Sequence, residues 1–381
     1  MATGNPLQQL HAAGQSIWLD YIDRTMLHNG ELAKRIADDS LTGMTSNPTI
    51  FEKALAQGTA YDAQIKESAG DRTAWEMFEL VESDDVRDAC DIFRPVYDAA
   101  KGHDGFVSIE VSPGSAHDSA ATIAEARRLW KTVDRPNVMI KVPGTQDGAV
   151  AVRALIADGI NVNITLLFSI DAHARVIDAY LDGLEDRVKA GGAISGIASV
   201  ASFFVSRVDT EVDKRLDECV RSGKCDANHA DGLRGKAAIA NAKLAYRLFR
   251  ERFNGPRWAA LAAKGAQLQR PLWASTSTKN PAYRDVLYVE QLIGPDTVNT
   301  MPPATLDAFR DHGITAQTVD TDLDSAERVI SDLAAAGIPL ADVTDRLLAD
   351  GLTSFQKSFD TLVAGLEAKA KQLGRSLVAS H

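Results

Sequence analysis

The feature that most constrains the fold of this chain is a regular alternation of short β-branched runs with longer helical patterns. Eight such runs occur along the 381 residues, and a helical pattern follows each run. Strand and helix repeated in this way, with no Gly/Ser-rich linker, predict a parallel sheet closed into a (β/α)8 TIM barrel with extra helices. The predicted strands are 16–22, 41–46, 106–111, 137–142, 161–168, 194–201, 270–275 and 297–301. The predicted helices between them include 120–131, 147–157, 170–190, 203–220, 235–253 and 303–312.

We expect residues 1–381 to form a single barrel domain, because α/β barrels often exceed about 250 residues in one domain. Two long connections predict helical insertions at about 48–104 and 208–268. After the eighth strand we expect a helix around 340–348 and a C-terminal helix at about 352–373. The apolar spacing of that last helix indicates packing on the body of the protein, and a flap over the barrel mouth is the alternative.

The charge balance excludes several classes of partner. Lys and Arg number 41 against 52 Asp and Glu, so the net charge is −11, which disfavours nucleic acid and anionic membrane surfaces. The net charge does not exclude a local basic pocket that binds a small anion. The first residues lack a charged segment followed by an apolar one, and no run approaches the ~18 apolar residues of a membrane span. We therefore expect a cytoplasmic protein.

The cysteines and histidines give no sign of a metal site. Cys90 stands alone, and Cys219 and Cys225 are six positions apart, which matches neither a disulfide framework nor a Cys-x-x-Cys motif. We expect all three to be reduced. The eight histidines show no metal-ligand spacing, so we expect no metal. Phosphate-loop, dinucleotide-binding and serine-hydrolase motifs are also missing from the sequence.

Polar residues occur at inward positions of four strands. In a buried barrel strand alternate side chains face the lumen, and both faces are normally apolar. This parity directs Asp20, Glu110, Lys141, Asn163 and Thr165 into one lumen, near the carboxyl ends of the strands where barrel active sites lie. A structural ion pair could account for Lys141 alone. Burying three charges together without a function is costly, so the set favours a catalytic site.

A buried lysine between two carboxylates is suited to carbonyl chemistry. An apolar environment increases the fraction of neutral amine, which adds to ketones, and the resulting iminium stabilises the carbanion left by C–C cleavage. The two carboxylates can act as base and as acid. We expect Asn47 and Asn163 to hold sugar hydroxyls. For an anionic end of the substrate the candidates are Arg207, Ser275 and Lys279, although Arg207 could also be a surface helix residue.

Seven sequence blocks, in this order, resemble the transaldolase family over nearly the whole chain. They are WLD (18–20), TSNPT (45–49), SIEV (108–111), IKVPGT (140–145), NVNITL (161–166), SFFVSR (202–207) and WAST (273–276). The resemblance implies a cofactor-free class I enzyme of the non-oxidative pentose phosphate pathway. Such an enzyme moves a dihydroxyacetone unit from sedoheptulose 7-phosphate or fructose 6-phosphate to glyceraldehyde 3-phosphate or erythrose 4-phosphate.

The same resemblance implies a role for each matching residue. Lys141 would form the Schiff base, Asp20 would deprotonate the hydroxyl at the cleaved bond, and Glu110 with Thr165 would position and activate water. The residues that would contact the substrate are Asn47, Asn163 and Ser202 on the three-carbon unit, Arg207 and Ser275 on the phosphate, and Phe204 beside the Schiff base.

One segment departs from the best-known branch of this family. That branch has a second arginine after the serine of the seventh strand, whereas Ser275 is followed here by Thr-Ser-Thr and Lys279. Lys279 would supply a point charge without the fork of a guanidinium. The length and this segment resemble the larger bacterial and plant branch.

Two other functions compete with a transaldolase. A class I fructose 6-phosphate-type aldolase on the same barrel would release the three-carbon unit to water. A catalytically silent barrel would bind sugar phosphates without a covalent step. The Gly- and Ala-rich helix face at 333–337 is compatible with a homodimer.

Overall fold

Eight parallel strands close into a barrel in this computed structural model, which describes residues 4–378 apart from the side chains of Lys53, Ala56 and Gln57. Each strand pairs with the next in the chain, and the eighth pairs with the first. The predicted (β/α)8 fold is therefore confirmed. The strands are β1 Gln15–Asp20, β2 Leu41–Thr45, β3 Phe106–Glu110, β4 Val138–Pro143, β5 Val162–Leu167, β6 Ser199–Phe204, β7 Gln269–Ala274 and β8 Thr297–Met301.

The sixth strand is the one whose predicted bounds, 194–201, differ most from the structure. It begins at Ser199, after a turn in which Gly196 adopts a left-handed conformation with φ 86° that extended backbone does not have. The strand continues through Phe204, which was predicted to lie in a helix. This shift places Ser202 and Phe204 on the strand itself.

Helices follow the strands and cover the outside of the barrel. Those before β4 are α1 Pro6–Ala12, α2 Arg24–His28, α3 Glu31–Asp39, α4 Pro48–Gln57, α5 Asp62–Ser68, α6 Ala74–Ala99 and α7 Ser119–Val133. A 3₁₀ turn, Pro113–Ser115, precedes α7. The later helices are α8 Gln146–Asp158, α9 Ile170–Lys189, α10 Ser206–Arg221, α11 Ala227–Leu233, α12 Ala237–Arg252, α13 Pro256–Ala262, α14 Leu287–Glu290, α15 Pro303–His312, α16 Leu323–Ala335 and α17 Leu340–Gln372. Helices α4–α6 occupy the first long connection and α11–α13 lie in the second.

Two apolar layers hold the strands in place. One lies between the sheet and the helices and contains outward residues of the strands, such as Ile109 and Ile140. The alternation along β5 predicted that Leu166 also faces outward, which is wrong, because Leu166 adopts a φ of 59° and lines the barrel cavity. The other fills the lumen, and its buried members are Trp18, Phe106, Met139, Ala198, Val200, Leu272, Ala274 and Val298. Apolar side chains thus fill the interior of the barrel, and the polar inward residues lie nearer the carboxyl ends of the strands.

Close packing in the lumen requires a glycine on β2. A Cβ added at Gly43 would lie 2.5 Å from the indole of Trp18, which is fully buried. Any larger residue at this position would displace the indole from the lumen. Trp18 and Gly43 therefore belong to the apolar packing that supports the polar inward residues such as Glu110 and Lys141.

Helix α17 packs on the body and also reaches over the mouth of the barrel. It is one helix of 33 residues in the region where two were predicted. Phe359 contacts the ring of Trp75 at 4.9 Å between centroids, and Thr49 Oγ1 on α4 donates to Ser358 Oγ at 2.9 Å. Packing on the body is therefore confirmed, and Ser354 and Phe355 of α17 line the cavity at the barrel mouth, while a flap remains a prediction.

The expectation that Cys219 and Cys225 are unpaired is wrong. The turn after α10, with Gly223 at φ 70°, returns the chain so that the two Cα atoms lie 5.3 Å apart and the cysteines form a disulfide. A separation of six positions matches no recognised cysteine motif, so the sequence did not indicate the bond. The geometry of the turn brings the two cysteines close enough to form it. Cys90 is free and buried.

None of the helices described between residues 4 and 378 has the length and apolar character needed to cross a membrane.

Candidate active site

A cavity of about 1060 Å³ opens at the carboxyl ends of the strands. Ten of the eleven side chains predicted for the site line it: Asp20, Asn47, Glu110, Lys141, Thr165, Ser202, Phe204, Arg207, Ser275 and Lys279. The remaining one, Asn163, is fully buried and is not among the lining residues. The barrel thus brings together residues that are up to 259 positions apart in the chain.

Lys141 and Glu110 form an ion pair in the lumen. They face each other in the register between β3 and β4, and Lys141 Nζ lies 3.1 Å from Glu110 Oε2. Lys141 Nζ also donates to the carbonyl oxygen of Ser46 at 3.2 Å. The Lys141 side chain is 9% exposed and that of Glu110 is 6% exposed, so the amine is held by two acceptors in a largely buried site.

Asp20 is held by a short chain of hydroxyl groups. Thr45 Oγ1 donates to Asp20 Oδ1 at 2.8 Å, and Thr300 Oγ1 lies 2.7 Å from Thr45 Oγ1. Since Thr45 uses its only proton on Asp20, Thr300 must donate to Thr45. Three adjacent strands, β8, β1 and β2, therefore fix the orientation of this carboxyl.

Burial raises the pKa of both carboxyls in the cavity, those of Asp20 and Glu110. It raises the pKa of Asp20 above the ordinary value, an effect that the charge of Lys141 and the hydrogen bond from Thr45 oppose. Burial likewise raises the pKa of Glu110, against the charge of Lys141, and the negative charge of Asp20 adds to the rise. Each group is thereby brought closer to neutral pH, where a carboxyl can both take and give a proton.

Asn163 lies beneath the cavity and supports its wall. Its Nδ2 donates to Ser108 Oγ at 2.9 Å, and its Oδ1 accepts from Ser202 Oγ at 2.6 Å. Thr165, two residues further along β5, reaches the cavity itself. Asn163 thus fixes the Ser202 hydroxyl, which lines the cavity.

Asn47 caps a helix and faces the cavity at the same time. As the N-cap of α4, its Oδ1 accepts from the backbone N–H of Ile50 at 3.1 Å. The cap fixes the side chain of Asn47, which lines the cavity. This explains how a loop residue after β2 obtains a defined position.

A cationic end of the cavity lies after β6 and β7. The guanidinium of Arg207 sits 5.1 Å from the ring centroid of Phe204, and the ring of Phe204 packs on Phe168 at 5.2 Å. Across residues 4–378, no carboxylate lies within salt-bridge distance of Arg207, and burial lowers its pKa while the charge of Asp20 opposes the change. An arginine remains charged at neutral pH, so this group is available for an anionic ligand.

Two further groups border this cationic end. Ser275 has φ 57°, and its hydroxyl lies 2.9 Å from that of Ser206, the first residue of α10. Lys279 is exposed, and its Nζ donates to Ser277 Oγ at 2.8 Å. The amino end of α10 and these side chains together resemble the anion sites formed at helix N-termini.

Comparison with known proteins agrees with the geometry. The family model described as Transaldolase/Fructose-6-phosphate aldolase matches residues 17–366. The chain belongs to this family. A protein named Transaldolase from Frankia alni is 50% identical over 374 residues, with 98% of each chain covered. Another of that name from Thermobifida fusca is 50% identical over 372 residues, covering 97% of this chain and 99% of its own. Transaldolase 2 from a Nostoc strain is 48% identical over 377 residues, covering 97% and 98%.

This member of the transaldolase/fructose-6-phosphate aldolase family has cavity residues that sequence reasoning missed. Applying the inward parity to β8 would have identified Thr300, which alternates with Val298 of the lumen. Nothing in the local sequence indicated Leu166, because a regular strand would turn it away from Thr165. Ser354 and Phe355 line the cavity only because α17 crosses its mouth.

Proposed function

We propose that this chain is a transaldolase that transfers a dihydroxyacetone unit between sugar phosphates through a Schiff base on Lys141. The observation that carries the proposal is the 3.1 Å pair of Lys141 Nζ and Glu110 Oε2, with Asp20 facing the same cavity. A lysine between two carboxyls provides a nucleophile, a base and a proton exchanger in one enclosed space. The other buried lining groups named here, such as Thr165 and Ser202, carry hydroxyls, whereas Lys141 carries the amine that Schiff-base formation requires.

The first step is attack of the Lys141 amine on the ketone carbon of the donor sugar phosphate. Glu110, at 3.1 Å, accepts the proton that the ammonium must lose. The carbinolamine then expels water, and the lone pair of nitrogen forms the C=N bond of the iminium. Glu110 returns its proton to the departing hydroxyl through a water molecule that Thr165 positions. The raised pKa of Glu110 suits it to this exchange.

The second step is cleavage of the carbon–carbon bond. Asp20 takes the proton of the hydroxyl on the far side of that bond, the bond electrons flow into the iminium, and an aldose phosphate leaves. The three-carbon unit remains on Lys141 as an enamine. A new aldose phosphate then accepts it by the reverse of these steps, and Asp20 returns the proton. Orientation of Asp20 by Thr45 supports this role.

The remaining side chains hold the substrate. Asn47, Asn163 and Ser202 contact the three-carbon unit, and Asn163 also accepts a hydrogen bond from the Ser202 hydroxyl, which fixes the position of that group. Phe204 forms the wall beside the Schiff base and positions the guanidinium of Arg207. The sugar phosphate group binds to Arg207 and Ser275, and Lys279 adds a point charge at the rim. No metal or cofactor takes part in these steps.

The same reaction suggests where and how the protein works. The pathway is the non-oxidative pentose phosphate pathway, in the cytoplasm, and the chain acts as a single barrel domain. A homodimer through the exposed face that includes Ala334 and Ala335 remains a prediction. Light scattering of the purified protein tests that assembly.

The test of the mechanism is trapping of the Schiff base. The protein is incubated with fructose 6-phosphate and sodium borohydride, and its intact mass is measured. We expect a stable adduct with the mass of one reduced dihydroxyacetone unit, absent from Lys141→Ala. Lys243→Met is the matched control, because Lys243 is also buried but donates to the carbonyl oxygen of Thr321, outside the cavity.

Two outcomes would contradict the proposal. A wild-type protein that binds fructose 6-phosphate without forming an adduct would be the silent binding barrel. An adduct that forms while erythrose 4-phosphate is not converted to sedoheptulose 7-phosphate, and dihydroxyacetone accumulates instead, would make the protein an aldolase.

A further inference from the structure

One strand of the barrel departs from regular pairing beside the cavity. Between β5 and β6 the register runs Ile164 with Ala201 and then Leu167 with Phe203. Three steps along β5 therefore match two steps along β6, so β5 contains one extra residue. Such a bulge redirects a side chain and is common next to active sites.

The extra residue is Leu166, and its backbone is in a left-handed conformation. Its φ is 59°, a value that a leucine adopts only at a conformational cost. Among residues 4–378 it is the only apolar residue other than glycine with a positive φ. A cost of this kind persists where the surrounding structure imposes it, and such positions cluster at functional sites.

The bulge turns two consecutive side chains toward one cavity. Thr165 and Leu166 both line it, although neighbours on a regular strand face opposite sides. Leu167 points outward instead and packs against Gly144. The bulge thus adds an apolar wall directly beside Thr165, the residue assigned to position water.

The outer end of Leu166 meets the helix that crosses the mouth. A Cβ added at Gly351 of α17 would lie 3.2 Å from Leu166 Cδ2, so the helix backbone approaches this side chain closely. Leu166 is 7% exposed and closes the space between β5 and α17. Removing its side chain would open a path toward the water-positioning group.

We propose that Leu166 is a specificity-determining residue, which shields the enamine on Lys141 from water and so favours transfer over release. The inference rests on the proposed function. The enamine carbon has two fates. It forms a C–C bond to the carbonyl carbon of an aldose phosphate, or it forms a C–H bond by taking a proton from water. After protonation, water hydrolyses the iminium, the C–N bond breaks, and free dihydroxyacetone leaves the Lys141 amine.

The experiment measures the partition between these fates. Fructose 6-phosphate is the donor, erythrose 4-phosphate the acceptor, and both sedoheptulose 7-phosphate and free dihydroxyacetone are quantified. Leu166→Gly keeps the left-handed backbone without the side chain. We expect it to raise the ratio of release to transfer at least about tenfold. Leu166→Asn, which also tolerates this backbone, is expected to shift the ratio in the same direction.

Leu167→Ala is the matched control, since it shortens the neighbouring leucine on the opposite face. We expect Leu167→Ala to lower thermal stability, because it leaves a cavity in the core, and to leave the ratio of release to transfer unchanged. The control thus shows what loss of packing alone does to the enzyme. A ratio that stays within about twofold of wild type in both folded Leu166 variants would overturn the inference. If only the inference about Leu166 fails, borohydride still traps the adduct on the wild-type protein. If the proposed function fails, the wild-type protein forms no such adduct.

Discussion

Protonation of a buried histidine is expected to make this protein less stable in mild acid. His173 on α9 is fully buried, its ring lies 5.8 Å from that of Phe203, and neither ring nitrogen has a hydrogen-bond partner. Burial lowers the pKa of His173 from 6.5 to about 4. The unfolded chain therefore binds a proton below pH 6.5 that the folded protein takes up only near pH 4.

The size of the effect follows from this difference in pKa. Stabilisation is complete above pH 6.5 and is lost as the pH falls toward 4, up to about 3.4 kcal/mol, at 1.36 kcal/mol for each pKa unit. Between pH 7 and pH 5 the loss is about 2 kcal/mol. His173→Leu removes the titrating group and leaves no unpaired polar atom, so the variant should lose less stability over this interval.

The assay is urea unfolding of the wild type and of His173→Leu at both pH values, followed by tryptophan fluorescence. Carboxyls that titrate in both proteins cancel in the difference between them. His229→Asn, which changes an exposed histidine, should behave as wild type. A free-energy difference between wild type and His173→Leu that is equal at pH 5 and pH 7 would refute the argument.

Three further predictions concern the site and its support. Asp20→Asn should still form the Schiff base but not cleave it, so borohydride should trap the whole ketose phosphate, and kcat should fall about 10²- to 10⁴-fold. Arg207→Met should raise KM for fructose 6-phosphate about 10- to 100-fold in steady-state assays, whereas Arg127→Met, which removes a surface ion pair with Asp158, should not. Burial raises the pKa of Asp209 to about 7, so the folded state favours its protonated form and loses stability as the pH rises from 3.8 to 7. In urea unfolding, the free energy of unfolding of Asp209→Asn minus that of wild type should therefore increase by about 2–3 kcal/mol from pH 5 to pH 8. The same value of this difference at both pH values would contradict the argument.

The inward residues show how far a sequence pattern can reach. Alternation of apolar residues along β3 and β4 correctly predicted that Glu110 and Lys141 share the lumen, because side-chain parity in a strand is a local property. On β6 the parity gave no signal, since the alternation of Ala198 to Ala201 is too weak. The bounds of that strand were accordingly wrong.

Contacts between distant elements were beyond the sequence. Thr45 and Thr300 are 255 positions apart and meet only because β8 closes against β1. The disulfide of Cys219 and Cys225 depends on a turn whose geometry no motif specified. The hydrogen bonds of Asn163 to Ser108 and Ser202 likewise join residues far apart in the chain, and its contact with the three-carbon unit stays a prediction.

By itself the sequence determined the number and order of the strands, the inward position of Asp20, Glu110 and Lys141, and the family to which the chain belongs. These properties depend on patterns a few residues long, which every strand or helix expresses independently of its neighbours. Tertiary structure decided the left-handed backbone of Leu166 and the passage of α17 over the mouth of the barrel. Local preference opposes the first and is silent on the second, so only the packing of the closed barrel could select them.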